Sequence, residues 1–293
     1  MSDDNRLDFN IYGYDPSLAA ALIFLVAFSL ITTVQLYRVC RSRIWWLSVL
    51  LFGGVAEIIG WVGRLWSSIN VYRLEAFLIQ TICLGLAPVF FSAAIYALLG
   101  VIIASIGPQY SLLRPRTYLL VFCTADLVSI VVQAVGGGMS ATALATDTSP
   151  RTGSNVMVAG IAFQLFAMLV FSSLGVVVWL RARKDRSYRE LDHPQKGNLS
   201  WLGWGLAWAS LWIIVRGIYR TIELADGWTG HLIRNQPYFL VLDAAVMVLC
   251  QATFCFVWPN QGGAVYPGAR DNGSDDGRTT PASTSPKQEK LGV

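Results

Sequence analysis

The chain has 293 residues, of which 54% are hydrophobic and 14% charged, with a formal net charge of +4. Soluble domains carry about 25% charged residues, so this composition, with its apolar residues gathered in long blocks, excludes a soluble globular protein. It indicates an all-α polytopic membrane protein. No phosphate-binding loop of the G-x-x-x-x-G-K-[ST] type occurs, and we expect no cofactor, no metal and no nucleic-acid partner.

The predicted elements begin with residues 1–16, a short acidic segment without the basic region of a cleavable signal peptide. We expect it to form an extracellular N-terminus. A membrane domain at 17–257 follows, with seven blocks each long enough to cross a hydrocarbon core of about 30 Å as a helix. The predicted spans are 17–37, 44–63, 74–104, 117–138, 155–180, 200–222 and 237–257. Residues 258–293 are rich in Gly, Pro, Ser, Thr and charge, which predicts a disordered cytoplasmic tail.

The orientation follows from the basic residues of the connections. With the N-terminus outside, the cytoplasmic loops and tail hold fifteen of the 22 Lys and Arg residues, and the exterior segments hold five. Cytoplasmic loops carry the excess of basic residues in membrane proteins. The sequence therefore predicts a seven-transmembrane-helix bundle with its N-terminus outside and its C-terminus in the cytoplasm.

Ionisable side chains interrupt these apolar spans, although a charge at the centre of a span costs on the order of 3 kcal/mol. At a rise of about 1.5 Å per residue, four polar groups from different spans lie about 20–24 Å above the cytoplasmic boundary. They are Glu57, Gln133, Arg216 and Asp243. Asp126 lies deeper, at about 14 Å, by the same rise.

Two interpretations of these groups are open. They are interhelical clamps that only fix the packing, or they line a polar cavity open to the outer leaflet or the exterior. Four aromatic residues near the same level either stack on an apolar ligand or form an interfacial aromatic belt: Trp61, Tyr219, Trp228 and Tyr238. The run Gly136-Gly137-Gly138 ends the predicted fourth span, and it either admits a helix or a ligand close to the backbone or is a flexible helix end.

Several motifs occur together in one order along the chain. They are Glu57-Ile-Ile-Gly60-Trp61-Val-Gly-Arg64, Ala87-Pro88, Ala93-Ala94-Ile95-Tyr96, Asp126, Gln133-Ala-Val-Gly136-Gly137-Gly138, Gly160-Ile-Ala-Phe-Gln164, Arg216-Gly-Ile-Tyr-Arg220-Thr-Ile-Glu223 and Asp243. In these motifs the chain resembles the fungal RTA-like family, also called lipid-translocating exporters. Trp61, Gln236 and Trp258 stand where that family usually has Tyr, Glu and His.

The resemblance implies seven helices and a role in moving or resisting amphiphilic lipids, such as sphingoid bases or sterol-like compounds. We expect the partners to be this lipid substrate and the surrounding membrane lipids; the sequence leaves the oligomeric state open. We expect the plasma membrane, with the vacuole or another endomembrane as the alternative. The candidate substrate-binding residues are Glu57, Trp61, Arg64, Asp126, Gln133, Gln164, Arg216, Tyr219, Arg220, Glu223 and Asp243.

A translocator is the leading hypothesis. In it, Glu57, Asp126 and Asp243 receive an ammonium or hydroxyl headgroup, and Asp126 is the candidate protonatable group. A heptahelical lipid receptor or sensor is the alternative, since seven-helix topologies are shared by unrelated functions. An intramembrane zinc hydrolase is disfavoured because His193 and His231 are predicted on opposite sides of the membrane and cannot share one metal.

Overall fold

A computed structural model describes residues 14–146, 148–184, 193–226 and 235–259. Within these ranges, seven helices are long and apolar enough to cross a membrane. They are α1 Leu18–Ser42, α2 Val49–Ile69, α3 Leu74–Ile106, α4 Pro115–Ala145, α5 Arg151–Lys184, α6 His193–Ala225 and α7 Gln236–Phe256.

No strand occurs in the described ranges, and the predicted all-α, seven-helix membrane fold is confirmed. The protein is an integral, multi-pass membrane protein. The orientation of the termini stays a prediction. The expected tail from residue 260 onward, residues 1–13, Trp228 and His231 lie outside the described residues.

Local sequence sets several helix ends. The Ser17 side chain accepts a hydrogen bond from the backbone N–H of Ala20 and caps α1. Gly107 ends α3 with a φ of 124°, a backbone conformation that favours glycine. Pro115 begins α4, where its missing N–H leaves no helical bond unmade.

The α3 helix is the central element of the bundle. In its most apolar stretch 67% of the residues are buried, whereas the corresponding stretches of α1 and α4 are only 22% buried. The outer faces of the bundle carry many exposed aliphatic side chains, as a lipid-facing surface does. Groups on α3 are therefore best placed to meet groups from several other helices.

Glycines allow the helix backbones to approach each other closely. A Cβ atom on Gly136 of α4 would lie 2.5 Å from the backbone nitrogen of Met157 on α5. A Cβ on Gly153 of α5 would lie 2.5 Å from the backbone nitrogen of Ser140. Small residues at helix crossings are typical of membrane bundles, and here they hold α4 against α5.

The fourth helix extends beyond its predicted C-terminal end. We expected it to stop at Gly136–Gly138, but it continues in helical conformation to Ala145. Glycine weakens an isolated helix, but here the packing of Gly136 on α5 holds the helical backbone in place.

Candidate functional site

Arg216 of α6 connects three helices through its guanidinium group. Its Nε lies 2.8 Å from Oδ1 of Asp243 on α7, and both side chains are buried. The N–H is not aligned with that oxygen for a hydrogen bond, so charge carries the contact. Its Nη2 donates a hydrogen bond to the backbone carbonyl oxygen of Leu84 on α3 at 2.7 Å. The carboxylate that pairs with Arg216 therefore comes from a neighbouring span.

The Leu84 carbonyl needs an outside donor because Pro88 follows it by four residues within α3. Proline has no backbone N–H, so the carbonyl four residues earlier loses its helical partner. An unsatisfied backbone group inside a membrane is costly. The Arg216 guanidinium replaces the missing amide donor, which gives a structural reason for a cation in the sixth apolar span.

Asp243 lies in an irregular part of α7. Residues Leu240–Ala245 form a π-helical segment between the regular turns Gln236–Phe239 and Val246–Phe256. Such wide turns are rare in proteins, and those that occur are often found at functional sites. The carboxylate that pairs with Arg216 is thus presented by a distorted turn, opposite the proline-containing part of α3.

Glu57 of α2 is a third charged residue near this contact. It is buried and lies within the electrostatic field of both Arg216 and Asp243. Its Oε1 atom has no hydrogen-bond partner among the described residues. One guanidinium group therefore faces two acids but forms a close ion pair with Asp243.

Trp61 and Arg64 extend the polar face of α2 towards its C-terminal end. The Trp61 ring stacks on Phe24 at a centroid distance of 4.8 Å and packs against Phe239 at 6.0 Å. Arg64 donates a hydrogen bond from Nη2 to the Tyr14 hydroxyl at 2.9 Å, and its guanidinium carbon lies 4.5 Å from the centroid of the Phe239 ring. Both residues pack against aromatic side chains.

Three residues of α6 form a local network one turn beyond Arg216. Arg220 pairs through Nη1 with Oε2 of Glu223 at 2.7 Å. The Tyr219 hydroxyl donates to the other carboxylate oxygen of Glu223 at 2.8 Å. Each oxygen of Glu223 thus has a partner from its own helix.

The polar groups of α4 face different neighbours. The Tyr96 hydroxyl of α3 donates to Oδ2 of Asp126 at 3.0 Å, inside a cluster of aromatic rings that includes Phe122 and Phe171. Gln133 donates from Nε2 to Oε1 of Gln164 on α5 at 3.1 Å. Asp126 therefore joins α4 to α3, and Gln133 joins it to α5.

Two adjoining cavities lie beside these residues. The first, which we call the polar pocket, has a volume of about 30 Å³ and lies between α3, α4, α5 and α6. Its polar lining consists of Ser92, Gln133, Gln164, Arg216 and Arg220.

The second cavity, which we call the lateral groove, has a volume of about 340 Å³. One face of α3 from Phe77 to Leu86 and one face of α4 from Ile130 to Ala141 form its walls, and Met157 of α5 also lines it. Its lining side chains are apolar apart from Thr81 and Gln133.

The structure divides the eleven candidate residues. Gln133, Gln164, Arg216 and Arg220 line the polar pocket, whereas the other seven line neither cavity. Those seven are Glu57, Trp61, Arg64, Asp126, Tyr219, Glu223 and Asp243. Neither of these two cavities brings all eleven together, because equal depth does not make helices present their side chains to the same side. Their part in binding stays a prediction.

One buried polar cluster was missed from the sequence. Gln35 of α1 donates from Nε2 to the backbone oxygen of Gln251 on α7 at 2.9 Å. Gln251 in turn donates from Nε2 to Thr32 and to Gln35, each at 3.1 Å. Two glutamines inside apolar spans were the available signal, but neither belongs to the motifs that carry the family resemblance. These contacts fasten α1 to α7.

The chain is similar in sequence to a family model and to several known proteins. Residues 50–264 match the family model described as RTA1 like protein, and this range includes all eleven candidate residues. The sphingoid long-chain base transporter RSB1 of Saccharomyces cerevisiae is 32% identical over 277 residues, covering 84% of this chain and 72% of the transporter.

Two further yeast proteins are similar. Protein RTM1 of Saccharomyces cerevisiae is 30% identical over 211 residues, covering 70% of this chain and 64% of that protein. Protoporphyrin uptake protein 1 of the same species is 26% identical over 284 residues, covering 84% and 91%. No solved structure matches the chain.

Proposed function

Because the chain belongs to the RTA1-like family, we propose that it translocates amphiphilic lipids across the membrane in which it lies. Sphingoid-base-like and sterol-like compounds are the proposed substrates, and their export gives the cell resistance to toxic lipids. A relative named as a sphingoid long-chain base transporter supports this proposal. The relatives named for an activity are a transporter and an uptake protein, which supports a non-enzymatic role.

The observation that carries the proposal is the contact between the polar pocket and the lateral groove. An amphiphile needs polar partners for its headgroup and an apolar surface for its chain, and the two cavities offer these side by side. A volume of about 340 Å³ is within the usual range of small-molecule sites, roughly 300–1,000 Å³. In the proposed orientation, the site lies in the outward half of the membrane.

Different polar residues have different roles in the proposed translocation. Gln133 and Arg220 offer hydrogen-bond donors to a headgroup as it leaves water. Arg216 holds α3, α6 and α7 in register beside the pocket through Leu84 and Asp243. Asp126, bonded to Tyr96, remains the candidate for a protonatable group that couples transport to a gradient.

Reconstitution of the full chain tests the proposal. Purified protein in liposomes is expected to speed the passage of a fluorescent sphingoid base between leaflets, because the site shields the headgroup from the hydrocarbon core. A leaflet-specific quencher added from outside measures the rate. Empty liposomes and liposomes with an unrelated seven-helix protein are the controls.

Saturable binding of the sphingoid base without faster passage would refute translocation and favour the receptor or sensor. Passage of a labelled two-chain phospholipid at the same accelerated rate would show non-selective scrambling, and it would also contradict the proposed substrate class.

A further inference from the structure

The polar pocket and the lateral groove adjoin each other and differ in chemistry. Gly85, Gln133 and Met157 line both cavities. Gln133 is directed towards the polar side, where its amide nitrogen bonds Gln164. The two cavities therefore adjoin at these three residues, so a molecule that fills the groove lies next to the pocket that Arg216 and Arg220 line.

The groove exists because three glycines leave their space unfilled. A Cβ atom added to Gly85, Gly137 or Gly138 would meet no atom within 4 Å. These positions differ from Gly136, whose added Cβ would collide with the backbone of α5. Gly136 serves helix packing, whereas the open glycines line a surface that no other part of the described chain covers.

The shape of the groove suits one hydrocarbon chain. From Phe77 to Leu86 the wall is about 14 Å long at the rise of an α-helix. Half of the hydrocarbon core of a bilayer is about 15 Å thick. Ile82, which lines the groove, is 63% exposed on the outer face of the bundle. An acyl or alkyl chain can enter from the lipid along this side.

The polar pocket presents cations and no anion. Among its lining residues there are two arginines and no carboxylate. Arg216 uses Nε and Nη2 for Asp243 and Leu84, and Arg220 uses Nη1 for Glu223. The second terminal nitrogen of each guanidinium group has no hydrogen-bond acceptor within the described part of the chain.

Four buried acids of the bundle do not line this opening, although two of them pair with its arginines. Asp243 pairs with Arg216 and Glu223 with Arg220, and Asp126 bonds Tyr96. Neither these three nor Glu57 lines the pocket or the groove. A headgroup in the pocket therefore meets N–H donors first, and an ammonium group there would face two guanidinium groups without a carboxylate beside it.

We propose that this joint site binds a single-chain amphiphile with an oxyanion headgroup, a carboxylate or a phosphate, in preference to one with only an ammonium group. The chain lies in the lateral groove and the oxygens accept hydrogen bonds from Arg216 and Arg220. Guanidinium groups suit carboxylate and phosphate geometry. A sphingoid base, with hydroxyls and an ammonium group, falls between the two classes.

This inference rests on the proposed function, since it concerns the same site and ranks the amphiphile headgroups that the site prefers. It differs from our expectation that Glu57, Asp126 and Asp243 receive an ammonium headgroup. The physical reason is the arrangement of the pairs, in which the arginines line the cavity and their partner acids Asp243 and Glu223 do not.

Binding measurements on the full chain in nanodiscs test it. Dodecyl phosphate, dodecanoate, dodecanol and dodecylamine share one chain and differ in the headgroup. The affinity of each compound is measured from its displacement of tritiated dodecanoate in an equilibrium scintillation assay. Dodecyl phosphate and dodecanoate are expected to bind at least about tenfold more tightly than dodecylamine, which corresponds to about 1.4 kcal/mol. Dodecanol is expected to lie between them.

Two variants separate the groove from the headgroup contact. Gly137→Leu fills the groove and is expected to weaken the binding of all four compounds by about tenfold, because the buried chain loses its space. Val135→Leu, on the outer face of the same helix, is the matched control with unchanged affinities. Arg220→Gln is expected to remove most of the preference for oxyanions while the affinity for dodecanol changes little.

Dodecylamine binding as tightly as dodecyl phosphate, or a Gly137→Leu variant that binds all four like the wild type, would overturn this inference. The flux assay stands apart from this result. Accelerated passage together with unchanged binding in Gly137→Leu would refute binding in the groove but not translocation. Tight oxyanion binding without passage of any amphiphile would refute translocation but not the binding site.

Discussion

Arg216→Met is expected to lower the free energy of unfolding by about 3–5 kcal/mol, because removing one partner of a buried ion pair leaves the other charge uncompensated. Asp243 loses the cation at 2.8 Å, and the Leu84 carbonyl loses the donor that stands in for the amide missing at Pro88. Equilibrium unfolding of the purified protein in mixed detergent micelles measures the loss. This is one of the two largest effects expected of a single substitution in the bundle.

The control is an exposed pair in the same protein. Arg73 and Glu75 lie 3.9 Å apart with side chains 40% and 45% exposed, so Arg73→Met is expected to cost at most about 1 kcal/mol. Adding Asp243→Leu to Arg216→Met is expected to recover much of the loss, because the orphaned charge disappears. A loss below about 1 kcal/mol in Arg216→Met would refute its role as a clamp between three helices.

Pro88 provides a second test of the contact between Arg216 and Leu84. In a Pro88→Ala background the substituted residue supplies a backbone N–H that can bond the Leu84 carbonyl, so Arg216→Met is expected to cost less than in the natural sequence. A coupling of about 1 kcal/mol is expected for the hydrogen bond. Strictly additive losses would mean that the Arg216 donor does not compensate for Pro88.

Gly136→Ala is expected to have the second large effect on the stability of the protein. Its Cβ would lie 2.5 Å from the backbone nitrogen of Met157 and 2.7 Å from the backbone oxygen of Gly153, so α4 and α5 must move apart. Overpacking of this kind costs about 1–3 kcal/mol, and Gly136→Val is expected to cost more. The midpoint of thermal unfolding in detergent, followed by tryptophan fluorescence, measures both.

The next residue supplies the matched control. Gly137→Ala places its Cβ in open space, and alanine favours a helix over glycine by up to about 1 kcal/mol. We expect it to be neutral or slightly stabilising. Equal losses at Gly136 and Gly137, or no loss at Gly136, would show that close contact between α4 and α5 at Gly136 does not determine the stability of this segment.

The sequence predicted the helices and the similar depth of Arg216 and Asp243, because both depend on distance along the chain. Apolar length determines a span, and a rise of about 1.5 Å per residue gives the depth at which Arg216 and Asp243 meet. Depth does not determine the direction in which a helix presents a side chain. Asp126 was therefore grouped with the other acids, whereas it bonds Tyr96 on α3.

Other features depend on pairs of residues that only the packed bundle identifies. The donor for Leu84 follows from Pro88, but nothing local to α3 says that it comes from α6. The lateral groove depends on space left open by Gly85, Gly137 and Gly138, and a sequence does not distinguish these from the packed Gly136. Polar side chains could be predicted as candidates, and an apolar cavity could not.

Photocrosslinking with a single-chain amphiphile tests most directly the claim that the lipid passes through the groove between α3 and α4. The probe carries a diazirine in its alkyl chain, the full protein is in nanodiscs, and mass spectrometry locates the adducts. We expect adducts that unlabelled dodecanoate displaces to lie on α3 between Phe77 and Leu86 and on α4 between Ile130 and Ala141, and to be lost in Gly137→Leu. Displaceable adducts concentrated on the outer face of α1, or adducts on α3 and α4 that dodecanoate does not displace, would contradict the account.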